Sequence, residues 1–257
     1  EVEPLPNIDF NIRQGNSLIG FTEIQEVAND DGDASLTNFG GGVGKNIQNM
    51  YDNVIKAVER HRQANSASEA ATARNLAESR IREHSQSLDE KILGQFHEAG
   101  IESATLDDIR EFSPFHWVLE FATVYQDGGF DIVIGNPPWD KVKAERTDFF
   151  PRYDEVFRGR SDNEKDRIQS QLLDNPEIAQ EWEEYQADID LEGDYYKESP
   201  TFNLQNAVVD GRTLSGDQEK STLFLERLFS LVQDDGYVAQ LFPGILFSGG
   251  SNKSLRY

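Results

Sequence analysis

The chain has 257 residues, of which 28% are charged and 37% apolar, with 47 acids against 24 bases and a net charge of −23. That length suffices for one large α/β domain or two small ones, and 11% aromatics exclude a disordered chain. No run approaches the roughly 20 apolar residues of a membrane span, so no membrane partner is expected, and zero cysteines exclude disulfide frameworks, thiolate zinc sites and cysteine nucleophiles.

In chain order, Ile8-Asp9-Phe10-Asn11-Ile12-Arg13 alternates apolar and polar residues and predicts a short strand. It runs into a turn at Gly15-Asn16-Ser17-Leu18. Residues 29–46 are loop by composition, rich in Gly, Asp and Asn. Ile47, Met50, Tyr51, Val54, Ile55 and Val58 then fall on one face of a helix. An alanine-rich helix is predicted from about 66 to 85, and Leu88, Ile92, Leu93 and Phe96 predict a third that ends at Gly100. Phe130-Asp131-Ile132-Val133-Ile134 reads as a strand buried on both faces of a parallel sheet. Residues 141–220 are charged and mostly helical, with turns at Asn175-Pro176 and Ser199-Pro200. Leu223 to Val232 is an amphipathic helix stopped at Asp235-Gly236, and Tyr237 to Phe242 is a further strand. Strand, helix, strand argues a doubly wound sheet, with the 131–134 and 237–242 strands adjacent and parallel.

Asn136-Pro137-Pro138-Trp139 follows the 130–134 strand immediately. Two adjacent prolines fix the backbone and remove two N–H donors, so the Pro137 carbonyl faces a ligand without a competing local donor. Open α/β sheets bind ligands outside the carboxyl ends of their strands, which is where this tetrapeptide falls.

With those residues the chain resembles the gamma-class amino-methyltransferases, which methylate the exocyclic amine of adenine in DNA with S-adenosylmethionine. It is more closely similar to the long single-chain restriction–modification and phage-defence methylases. Four stretches carry the resemblance: "NIRQGNSLIG" at 11–20, "FHWVLEF" at 115–121, "GGFDIVIGNPPWDKVK" at 128–143 and "GYVAQLFPGIL" at 236–246. The tetrapeptide is highly specific and the other three are supportive.

The resemblance implies that the Asn136 side-chain oxygen and the Pro137 carbonyl accept from the two N–H bonds of the target amine. That favours a pyramidal nitrogen and frees its lone pair toward the methyl sulfonium. The adenine must leave the duplex stack to reach such a pocket, and Trp139, beside Pro138, is the face that holds it. Tyr or Phe is commoner there than Trp. Gly15 and Asn16 resemble the turn whose polar side chain bonds the adenine end of the cofactor. The implied partners are double-stranded DNA with a flipped adenine and the remaining domains of the parent chain. The implied location is cytoplasmic.

The fold expected is α/β, a partial Rossmann-like methyltransferase sheet with a large helical insertion. Residues 1–28 supply a first strand and the cofactor-side turn, 29–112 the helical insertion, and 113–257 the catalytic core with a charged helical insertion at about 141–220. Because Glu1 is not a methionine and Tyr257 follows an apolar strand and loop, an excerpt of a longer protein is expected. The glycine-rich cofactor loop would precede residue 1 and a target-recognition domain would follow, so the fragment alone should be inactive.

Weaker patterns carry less. Gly40 to Lys45 hints at a phosphate loop but has Phe39 for its first glycine and Asn46 where Ser or Thr belongs. Asp30-Asp31-Gly32-Asp33 lacks the spacing and distal Glu of a calcium loop. The four histidines (His61, His84, His97 and His116) have no metal-ligand spacing. His116-Trp117 reads as packed core, and Tyr195-Tyr196 as a buried aromatic pair before a nucleic-acid platform. Two other functions stay open: a protein-glutamine methyltransferase, which also uses Asn-Pro-Pro-aromatic, and a non-catalytic module that keeps the fold as scaffold.

Only nine of the 24 bases are lysine and 15 are arginine. An acidic, lysine-poor surface repels nucleic acid at ordinary salt, and it also keeps halophilic proteins hydrated where the Debye length falls to about 3 Å. The halophilic reading, against that of an ordinary acidic protein, predicts a melting temperature that climbs between ~0.1 and ~2 M KCl as repulsion is screened. A near-neutral protein melted alongside corrects for the general effect of salt on apolar burial. A flat or falling curve would sink the halophilic reading.

Overall fold

The computed structural model of the chain describes residues 9–23, 42–205, 208–209, 212–213 and 218–244. In chain order its main elements are α1 (Gly42–Arg62), α2 (Ala67–Glu98), α3 (Leu106–Glu111), α4 (Trp117–Glu120), α5 (Ala122–Gln126) and β1 (Phe130–Gly135). They continue as α6 (Asp162–Leu173), α7 (Pro176–Glu198), α8 (Lys220–Leu231) and β2 (Val232–Gln240). The chain divides into two compact units, one of Glu1–Asn136 with Phe224–Leu241, the other of Pro137–Leu223 with Phe242–Tyr257.

In the first unit, α1 and α2 pack on one another and bury Tyr51, Val54, Ile55 and Val58 from α1. From α2 they bury one stripe of Ala73, Ala77, Ile81, His84, Leu88, Ile92 and Phe96. That stripe keeps its three- and four-residue spacing across Ser85-Gln86-Ser87, which contain no Gly or Pro. The two helices expected from 66 to about 96 are therefore one. Ser66 caps its start by accepting from the Glu69 N–H at 3.2 Å, and Gly100 ends it at φ +86, where glycine carries no steric penalty.

Residues 9–15 are turn and coil rather than the expected strand, and the backbone bridge lies further on, between Asn16 and Pro114. A strand would have set Phe10 and Ile12 on one face. No neighbouring strand runs beside them among the described residues, and Phe10 instead packs edge-on to His61 while Ile12 faces solvent. The turn that follows is seated firmly. Asn16 N–H donates to the Ser113 carbonyl at 2.8 Å and Phe115 N–H to the Ile19 carbonyl at 2.7 Å. Gly20, at φ +139, lies so close that a Cβ there would stand 2.2 Å from the Phe115 carbonyl oxygen.

β1 and β2 pair in parallel as expected, with Ile132 opposite Tyr237, Val133 opposite Val238 and Ile134 opposite Ala239. The turn expected at Asp235-Gly236 is taken up inside β2. Between Phe130 opposite Val232 and Ile132 opposite Tyr237 the second strand carries extra residues as a bulge, with Asp235 at φ +66. α8 thus runs straight into β2. The expectation that the 130–134 strand is buried on both faces is corrected: Ile132 is 60% and Ile134 79% exposed. Two strands make the whole of this sheet among the described residues, so nothing there covers the face that carries Ile132, Ile134 and Tyr237.

The second unit is built on Phe149, Phe150 and Phe157, packed against Trp182 and Tyr185 of α7 and Ile168 and Leu172 of α6. The turn expected at Asn175-Pro176 is a helix start, with the Asn175 side chain accepting from the Glu177 N–H at 3.0 Å and Pro176 in the first turn. Tyr195 and Tyr196 are buried against Phe202. Val208–Val209 pairs antiparallel with Arg212–Thr213. No helix among the described residues is long and apolar enough to cross a membrane.

Gly20→Ala is expected to lower stability by about 3 kcal/mol or more, since a methyl must displace backbone rather than a side chain. Urea denaturation followed by far-UV circular dichroism measures it, and an unchanged midpoint would contradict the close approach.

Candidate functional site

β1 ends at Gly135, whose carbonyl accepts from the Leu241 N–H at 3.1 Å, one step past the β2 pairing. Parallel pairing therefore holds the chain to the last residue before the tetrapeptide. Asn136 follows at once, exposed at the carboxyl end of the strand, where the first stretch of the first unit ends. Pro137, Pro138 and Trp139 open the second unit; Pro137 is half-buried, Pro138 exposed, and Trp139 is 51% exposed. An apolar ring left that open is available to stack on a planar ligand. Beyond it, the Asp140 carbonyl accepts from the Lys220 N–H at 2.9 Å, and Val142 N–H donates to the Gln218 carbonyl at 2.8 Å. The loop after Trp139 is thus tied by main-chain bonds to the segment that begins α8.

The Gly15–Leu18 turn is the second candidate. Asn16 Oδ1 accepts from the Leu18 N–H at 3.1 Å, an Asx turn that uses the oxygen of the amide. A Cβ at Gly15 would stand 2.8 Å from Phe115 Cδ2, so the glycine is required by the ring behind it. The Trp117 indole N–H donates to the Ser17 carbonyl at 3.1 Å, and the buried Arg227 guanidinium donates to the Leu18 carbonyl at 2.7 Å. No hydrogen bond joins Asn16 to Asn136 among the described residues.

The sequence missed Arg227. Its one signal was a cation on the apolar face of α8, flanked by Phe224, Leu228 and Leu231. It also missed Asp89, whose Oδ1 accepts from His116 Nε2 at 3.0 Å. His116 is packed core, as expected, with its side chain fully enclosed. The 40–45 phosphate-loop pattern does not survive as a loop where it is described, because residues from Gly42 onward are in α1. The 30–33 acids lie outside the described residues. No group of three or more potential metal ligands occurs among the described residues.

Among the described residues, the first unit holds cavities on two sides of α5. One, of about 460 Å³, is lined by Glu23, Tyr51, Tyr125, Phe229 and Asp234 near the amino ends of the strands. Burial, reinforced by Asp52 and Asp127, pushes the Tyr51 hydroxyl up to about 12 while it donates to the Ala122 carbonyl at 2.7 Å. The other, of about 240 Å³, is bordered by Glu120, whose carboxyl is pushed up by burial and pulled back by Arg13 at 3.0 Å. Neither cavity contains a residue of the tetrapeptide or of the Gly15–Leu18 turn.

Comparison with known proteins matches residues 43–172 to the Eco57I restriction-modification methylase family. That span is half of the chain and includes β1 and the tetrapeptide. A curated protein of Methanocaldococcus jannaschii, named as a candidate type II restriction enzyme and methyltransferase, is 22% identical over 177 residues. The match covers 54% of this chain and 15% of the relative, so the chain spans about 15% of that protein's length. No solved structure matches.

The exposure of Trp139 gives a direct check. Trp117 and Trp182 are half-buried among other rings, so acrylamide should quench a Trp139 component preferentially. Trp139→Phe should remove the readily quenched fraction. Equal quenching of wild type and variant would contradict the open placement of this ring.

Proposed function

Because this chain belongs to the Eco57I restriction-modification methylase family, we propose that it is the catalytic segment of a DNA methyltransferase that transfers a methyl group to the exocyclic amine of adenine. The observation that carries the reading is Asn136-Pro137-Pro138-Trp139, which starts at the carboxyl end of a parallel strand with Asn136 and Trp139 both exposed. In this reading the Asn136 amide oxygen and the Pro137 carbonyl accept from the target NH2, and Trp139 with Pro138 holds the extruded base. The name of the archaeal relative supports DNA as the acceptor over a protein glutamine.

The cofactor in this reading is S-adenosylmethionine, which supplies an electrophilic methyl group on a sulfonium. The Gly15–Leu18 turn fits its adenine end by donor chemistry: the Asx turn fixes the Asn16 amide through its oxygen, and the NH2 of that amide is the donor. The fit is partial, since this turn offers nothing to the charged end of the cofactor. A net charge of −23 sets a further condition on the acceptor. Phosphate contacts to this segment gain little, so DNA recognition rests on base-edge and apolar contacts.

Asn136→Ala in the full-length protein should lower adenine methylation by ~10²–10³, the usual cost of one oriented transition-state partner, while leaving the circular dichroism unchanged. Methylation read by mass spectrometry of digested DNA at near wild-type rate would remove Asn136 from the mechanism.

A further inference from the structure

The Gly15–Leu18 turn is held from behind by a side chain that none of the site residues accounts for. His116 is enclosed, and its two ring nitrogens are both engaged by groups on other segments. Nδ1 lies 3.4 Å from the Phe21 N–H, which makes it an acceptor. Nε2 therefore carries the proton and donates it to Asp89 Oδ1 at 3.0 Å. The Phe21 ring lies nearly parallel to the imidazole, 5.7 Å between centroids at 15°. Phe21 is buried, so its N–H has no water to turn to if the imidazole is lost.

The location of these contacts matters. Residues 16–21 are stitched to 113–118 by main-chain bonds, Asn16 to Ser113, Phe115 to Ile19, and Val118 to Phe21. His116 adds the side-chain bond at the far end of that strip. Asp89 belongs to α2, inside the long helical stretch whose part in the site was otherwise unassigned. Its carboxylate fixes which tautomer His116 adopts, so a residue of the helical stretch sets the hydrogen-bonding state of the group behind the turn.

We propose that His116, oriented by Asp89, is a positioning residue for the Gly15–Leu18 turn and thereby for cofactor binding. The proposal rests on the methyltransferase reading of Asn16. It gives the helical stretch a function, which is to supply the carboxylate that holds the imidazole proton on Nε2 and so leaves Nδ1 to accept from Phe21.

The two nitrogens separate the test. His116→Asn puts an oxygen at the Nδ1 position and keeps the acceptor for Phe21, whereas His116→Gln reaches the Nε2 position and keeps only the donor to Asp89. In the full-length protein, calorimetry with S-adenosylmethionine should show His116→Gln weakened about tenfold and His116→Asn within about threefold of wild type. At saturating cofactor, kcat of both should stay within about threefold, because neither group touches the reacting atoms. A merely structural role would lower the melting temperature of both variants and leave both dissociation constants alone, and that result would overturn the proposal. Should His116→Gln not fold, Asp89→Asn carries the same reading: a dissociation constant raised about threefold supports the proposal, and an unchanged one overturns it. If the wild type binds no cofactor, the proposed function fails and this inference with it. If the wild type binds and Asn16→Ala weakens it while His116→Gln does not, only this inference fails.

Discussion

The approach of Gly20 to the Phe115 carbonyl fixes the relation of nearly everything else in the first unit. At this position a Cβ would overlap the Phe115 backbone, so only a glycine fits, and Gly20 supplies it with a φ of +139. With that contact made, Phe115 and Trp117 stand over the ring of Phe121. Trp117 and Phe121 in turn meet Phe130 edge-on, at 6.0 and 5.3 Å between centroids. Phe130 is the first residue of β1, so the aromatic chain sets where the strand begins, and pairing with β2 carries that setting to Gly135 and Asn136. A glycine in a turn near the amino terminus thus governs the location of a motif more than a hundred residues away.

Much of this was legible because the sequence states it locally. The tetrapeptide, the Gly15–Leu18 turn and the α1 stripe each follow from residues close together in the chain, and the parallel pairing of the two apolar strands from the helix that leads into the second. Several failures have one cause in common, which is that the deciding partner lies elsewhere. Phe10 and Ile12 alternate like a strand, but a strand needs a neighbour, and Phe10 finds His61 and the Arg13 guanidinium instead. Asp235-Gly236 is a strong turn signal that the β1 register absorbs as a bulge. Arg227 looks like a solvated charge on an amphipathic helix until the Leu18 carbonyl, far away in sequence, is seen beside it. Only the number of strands beside β1 separates a buried strand from the exposed one found here.

The second unit shows how an acidic chain uses few bases. Arg146 reaches both Asp162 and Asp166 at the start of α6, and Arg160 meets Asp154 through two nitrogens, at 2.6 and 3.2 Å. That contact lowers the pKa of the Asp154 carboxyl. These are exposed or partly exposed pairs, each of small net worth. Their planar, two-pronged geometry nevertheless explains why the bases retained are mostly arginine, since lysine makes no fork.

The bare face of Ile132, Ile134 and Tyr237 has a colloidal consequence. At low ionic strength a charge of −23 keeps neighbouring molecules too far apart for apolar patches to meet. Added salt screens that long-range barrier together with the internal repulsion, and salting-out strengthens contact between the patches. If the melting temperature climbs with salt, conformational and colloidal stability move in opposite directions along the same salt axis. The salt that favours its folding would then be the salt in which it is least inclined to remain dispersed.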